Sequence, residues 1–222
     1  MGLSVDEWTL VIRHGSKGRR FKTFPSTLKC KAILNTTHKS NNDNKTSLDY
    51  LHFVFSKLEE ALNSHNLAII RVFGIGPIST SQDSLWQLAL LLHIKEYFGV
   101  EIVTSQDPLT SEIEEEFLQS CGIQPDDLLS TPPSTFPNDF TLLYMIHCTQ
   151  DMYENILSSP TKHTKVDPVQ LSSATNNFNL QCPNLISFTA LSTIIPLPYF
   201  DPKENSFHGT SICFIEENDE EV

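Results

Sequence analysis

Leu67-Ala68-Ile69-Ile70-Arg71-Val72-Phe73 runs directly into Gly74-Ile75-Gly76-Pro77. The first stretch is short and rich in β-branched and aromatic side chains, which predicts a buried strand; the glycines and proline that close it predict a tight turn. Upstream, Leu48, Leu51, Val54, Phe55, Leu58 and Leu62 recur at three- and four-residue steps behind Ser47 as an N-cap, predicting an amphipathic helix that ends near His65. Downstream, Leu85, Leu88, Ala89, Leu91, Leu92 and Tyr97 form an apolar face on a helix over 81–98, stopped by Gly99. A second strand is predicted over 100–104, closing at Gln106-Asp107-Pro108. A second helix follows over 109–121, with Glu112 and residues 114–116 outward and Ile113, Phe117 and Leu118 inward. The continuous apolar run 140–146 has strand length, and a helix over 150–158 follows it. Such near-continuous apolar strands interleaved with helices predict an α/β fold: a Rossmann-like, doubly wound, mostly parallel sheet with helices on both faces. Beyond residue 159 the pattern weakens, and Val169-Gln170-Leu171, 185–195 and 211–215 are strand candidates.

The flanks frame this core. Of 222 residues, 27 are acidic and 15 basic, for a formal charge of −12, and 39% are hydrophobic, enough for one domain with a continuous core. Thirteen Pro and eight Gly, scattered, exclude collagen-like and low-complexity chains. No apolar run approaches the ~20 residues that span a bilayer, and the N-terminus lacks an apolar signal core, so a soluble chain of the cytoplasm, the nucleus or both, with no membrane partner, is expected. Five widely separated cysteines with no Cys-x-x-Cys pair predict reduced thiols rather than a disulfide framework or zinc site, and no His-x-x-His spacing occurs, so no metal is expected. Residues 1–34 form a basic N-terminal segment in which Arg13, Lys17, Arg19, Arg20 and Lys22 outnumber Asp6 and Glu7; a nucleic-acid contact there is the secondary reading, a solvated tail the first. Residues 35–47 read as a polar linker, 48–215 as the domain and 216–222 as an acidic, solubilising tail.

Function is sought where a doubly wound sheet binds ligands, beyond the carboxyl ends of its strands. Gly74 and Gly76 lie there, but Ser79 stands where a dinucleotide fingerprint wants a third glycine. Asp107, at the end of the next strand, has the place of an acid that accepts hydrogen bonds from ribose hydroxyls. Gly74, Gly76 and Asp107 are therefore the candidate cofactor-binding residues, in an arrangement like that of adenosyl-methionine methyltransferases as much as a dinucleotide site. The alternative is a tight turn with no ligand. His147 and Cys148 end the third strand and are the candidate base and nucleophile, although adjacent strand residues face opposite sides unless a turn intervenes. A haem-responsive binder using His147 or Cys148 as an axial ligand is a third reading; the Cys-Pro pair of haem-regulatory motifs occurs only at Cys182-Pro183, where it reads as chance.

Several motifs in order resemble the sensitivity-to-red-light-reduced family, an SRR-like domain: Gly74-Ile75-Gly76, then Ser84-x-x-Gln87-Leu88-Ala89, Asp107-Pro108, Tyr144-Met145-Ile146-His147-Cys148 and Tyr153-x-Asn155-Ile156-Leu157. Glu7-Trp8-Thr9-Leu10-Val11 with Gly18-Arg19-Arg20 resembles the family's basic opening, and Phe207-x-Gly209-Thr210-Ser211-Ile212-x-Phe214 its closing motif. Ile146 replaces the family's usual Pro, and Gly209 and Cys213 stand where the closing motif has Asp and His. The resemblance implies a regulatory protein of circadian-clock input, gene expression and haem-biosynthesis control, acting through protein partners. It implies no established reaction. The alternative is an enzyme using adenosyl-methionine or a nucleotide in the crevice at the strand ends.

Overall fold

A computed structural model of the chain describes residues 43–126, 139–158, 169–172, 182–200 and 206–215. The basic segment, residues 127–138 and the acidic tail lie outside the described residues. The elements run α1 (Asp43–Leu62), β1 (Asn66–Phe73), α2 (Gln82–Tyr97), β2 (Ile102–Gln106), α3 (Glu112–Ser120), β3 (Gln124–Pro125), β4 (Asp139–Met145), α4 (Gln150–Ser158), β5 (Val169–Ser172), α5 (Pro183–Leu191), β6 (Thr193–Pro196) and β7 (Ser211–Phe214). The strands form a single sheet in the order β3-β2-β1-β4-β5-β7-β6. β1 pairs in parallel with β2 and β4, as do β2 with β3 and β4 with β5, whereas β7 runs antiparallel to β5 and β6. The fold is therefore α/β, Rossmann-like and doubly wound. Its switch point lies between β1 and β4, where the chain, having built outward to β3, returns to build the other way.

Both faces are covered. Ile70 and Val72 of β1 and Leu142 and Tyr144 of β4 join α1, α2 and α3 in the main core, while Phe73, Leu143 and Met145, on the opposite face, pack with Tyr153 of α4 and Leu185 of α5. A bulge between Leu67 and Ile69 lets Leu67 share the face of Ile70 despite the odd spacing. α2 is buried on almost every side, from Ser84 to Leu92, because it lies on the sheet between its neighbours. Ser81 caps its N-terminus by accepting from the Ser84 N–H at 3.2 Å. Lys95, in its last turn, donates to the carbonyls of Cys121 and Gly122 at 2.9 and 3.1 Å, tying down the end of α3.

Three local expectations are corrected. α1 begins at Asp43, inside the segment read as a polar linker, and ends at Leu62 rather than near His65. In α3, Ile113 is 56% exposed and Glu114 only 2%, the reverse of the expected facing. The buried stripe is Glu114, Phe117, Leu118 and Cys121, at helical three- and four-residue steps, and Glu114 tolerates burial because its carboxylate is fully hydrogen-bonded. Finally, 185–195 is not one strand: Pro183 opens helix α5, which buries Leu185 and Phe188 one turn apart, and only Thr193–Pro196 is extended. The two-residue β3 has no apolar run and was missed by periodicity.

Candidate binding crevice at the strand ends

β1, β2 and β4 deliver their carboxyl ends side by side. The β1–β2 ladder continues for one rung beyond the strand, with the Gly74 N–H donating to the Gln106 carbonyl at 3.1 Å. The chain then turns through Gly74 at φ +63° and Gly76 at φ +80°, in the left-handed region where a side chain is strained. Space is short as well: a Cβ on Gly74 would lie 3.3 Å from the Cys148 sulfur, and one on Gly76 2.8 Å from the Ser84 hydroxyl. Both glycines are required by the turn itself.

Carboxylates hold this turn. Asp107 Oδ2 accepts from the Gly76 N–H at 2.5 Å and its Oδ1 from the Leu109 N–H at 2.8 Å, so one side chain stitches the ends of β1 and β2 together. Glu114 Oε1 accepts from the Ser79 N–H at 2.7 Å. Its Oε2 accepts from the Ser111 N–H and hydroxyl, at 2.9 and 2.8 Å, completing a capping box on α3. Burial would raise the Glu114 carboxyl, but the hydrogen bonds from Ser79 and Ser111 outweigh it and hold it below its ordinary value.

The candidate catalytic pair is divided. Cys148 turns inward and donates to the Phe73 carbonyl at 3.3 Å, beside Gly74. Burial, reinforced by the Asp107 charge, pushes its thiol up to about 12, so the thiolate that nucleophilic attack needs is scarce at neutral pH. His147 takes a left-handed conformation at φ +60° in the turn after β4 and is exposed. The structure thus joins Gly74, Gly76, Asp107 and Cys148, and puts His147 on the surface. Cys182 is buried in the second core cluster beside Phe73 and Tyr153. Among the described residues, no group of three or more His, Cys, Asp or Glu is gathered as a metal site would need.

Beyond Asp107 a cavity of about 430 Å³ opens at the ends of β2 and β3, with Asp107, Glu115, Asp126, Leu118, Ile123 and Met152 in its lining. Asp126 is anchored in turn. Its Oδ2 accepts from Arg71 Nη2 at 2.8 Å and Nε at 3.0 Å and from the Thr104 hydroxyl at 3.2 Å, with only 12% of the Arg71 side chain and 2% of the Asp126 side chain exposed. The guanidinium also lies 5.4 Å from the centre of the Phe73 ring. Arg71 and Thr104 are register partners on adjacent strands, which explains how a pair 55 residues apart in sequence meets. Sequence reasoning missed Glu115, Asp126 and Arg71; only the Ser111-x-x-Glu114 spacing carried a legible signal, that of a capping box.

Two solved structures are similar in outline. One is a mutant of MtNAS in complex with S-adenosylmethionine, with a TM-score of 0.45 and 10% identity over 86% of this chain and 72% of that one. The other is geranyl diphosphate C-methyltransferase from Streptomyces coelicolor A3(2) in complex with Mg2+, geranyl diphosphate and S-adenosyl-L-homocysteine, with a TM-score of 0.40 and 12% identity over 84% of this chain and 87% of that one. The elements that frame the crevice, from β1 to β7, fall within residues 54–214, which match the SRR1 domain over more than half of the sequence, and the chain belongs to that family.

Proposed function

We propose that this chain is a regulatory domain that works by binding rather than by chemistry at His147 and Cys148. It holds a small ligand in the crevice and acts through protein partners in the cytoplasm or nucleus, in the clock-input, gene-expression and haem-biosynthesis roles that the family resemblance implies. The observation that carries this reading is the half-buried Cys148 thiol, which donates to the Phe73 carbonyl and whose burial favours its protonated form, beside a histidine that sits out on the surface. A nucleophile and base at work would share a hydrogen bond. Partner binding is favoured by Leu191, Ile194 and Tyr199, large apolar side chains left exposed on and around the edge strand β6.

The test compares wild type with His147→Ala and Cys148→Ala in two assays: affinity capture of partners, and transfer of labelled methyl groups from adenosyl-methionine to extract. Unchanged partners and no transfer are expected. Transfer that disappears in either variant would overturn the proposal and establish the second reading, an adenosyl-methionine- or nucleotide-dependent enzyme. That second reading is favoured by the cavity beside Asp107.

A further inference from the structure

Resting on the reading of the crevice as a ligand site, we propose that it takes a phosphate-free, hydroxyl-rich ligand of nucleoside size and turns phosphorylated nucleotides and dinucleotides away. The first reason lies in the turn. A pyrophosphate site offers free backbone N–H groups between strand and helix, aimed at the anion along with the positive end of the helix dipole. Here the protein has filled that role itself: the Gly76 N–H is taken by Asp107 and the Ser79 N–H by Glu114. Negative charge already sits where a phosphate would go.

The second reason lies in the cavity. Asp107, Glu115 and Asp126 line it, and among the described lining residues none is Lys or Arg. Arg71, behind Asp126, directs both Nε and Nη2 to that carboxylate and is almost wholly buried, so its charge is matched within the protein. A phosphate entering here meets the unpaired charges of Asp107 and Glu115 and, among the described lining residues, no cation, because Asp126 and Arg71 offset one another. A sugar hydroxyl or exocyclic amine meets the carboxylates of Asp107 and Glu115, which have lone pairs beyond those the protein uses. Leu118, Ile123 and Met152 supply apolar surface for a planar base, and about 430 Å³ is within the range of small-molecule sites.

Isothermal titration of the full chain with adenosine, adenosyl-homocysteine, AMP and NAD tests the proposal. The phosphate-free pair is expected to bind at least about tenfold more tightly than AMP and NAD at low salt, with the gap narrowing as salt screens the repulsion. Glu115→Gln, with an unchanged melting temperature, is expected to lose roughly tenfold in affinity for adenosine and to bring AMP closer to it. AMP or NAD binding as tightly as adenosine overturns this inference while leaving the crevice a ligand site. No heat from any of the four at millimolar concentration overturns the inference together with the reading on which it rests.

Discussion

Cys148 shows how environment sets a residue's chemistry. With its thiol near 12, the thiolate fraction at pH 8 is so small that alkylation by iodoacetamide in the native protein should be on the order of 10³-fold slower than in the urea-unfolded chain. Timed mass spectrometry of the labelled peptide checks this, and rapid native labelling would show that the site opens. The sign of the linkage follows: a thiol that holds its proton more tightly when folded contributes stability fully present below the ordinary thiol range. That stability is lost as pH rises from about 8.5 toward the folded value. Arg71 and Asp126 make the complementary case. Removing one member leaves a buried charge alone, so Asp126→Ala should cost about 3–5 kcal/mol in urea unfolding. The double replacement Arg71→Met with Asp126→Leu should recover most of that loss, because desolvation then has no charge to penalise.

Between elements, Glu114 joins the start of α3 to the turn before α2. Its carboxyl is held low in the folded state, so its contribution is present at neutral pH and is lost as pH falls through and below the ordinary carboxylate range near ~4.3. Glu114→Gln should therefore lower stability by about 1–2 kcal/mol at pH 7, and the difference from wild type should shrink toward pH 3. Urea midpoints at the two pH values measure it. Gly76→Ala acts on the same junction: a side chain at φ +80° meeting Ser84 should cost roughly 1–3 kcal/mol with no ligand present. α5 is stapled differently. Its N-cap residue, Cys182, makes no side-chain cap; instead Glu154 of α4 accepts from the Asn184 and Leu185 N–H groups at 3.2 and 2.9 Å.

At the scale of the molecule, the sheet brings together groups from distant parts of the sequence. Ser206 donates its hydroxyl to Asp83 at 2.7 Å and accepts on its carbonyl from Gln87, while the Tyr144 hydroxyl donates to the Gln87 carbonyl at 2.6 Å. Ser206, just ahead of β7, thus docks on the helix that follows the glycine turn. A ligand that binds only the native state must raise the melting temperature, by about 2.7 kcal/mol of stabilisation at a hundredfold excess over its dissociation constant. A dose-dependent rise with adenosine that NAD matches only at concentrations at least about tenfold higher is the outcome expected of the whole fold. Flat melting curves with both would leave only the partner surface around β6.

The sequence by itself determined the strand-helix alternation, the Rossmann-like class, the family and the position of the glycine turn. These rest on periodicity and turn chemistry, which are local properties of adjacent residues. It also placed Asp107 and Cys148 near that turn, because strand ends in such a sheet converge. The tertiary structure alone decided that α5 is a helix and that Glu114, not Ile113, faces inward, since packing overrides a short apolar run and a satisfied carboxylate can be buried. It alone paired Arg71 with Asp126, because register between strands far apart in sequence leaves no trace in the spacing of either. And it alone set Cys148 inward and His147 outward, since the direction of a side chain after a strand depends on a left-handed turn that no periodicity encodes.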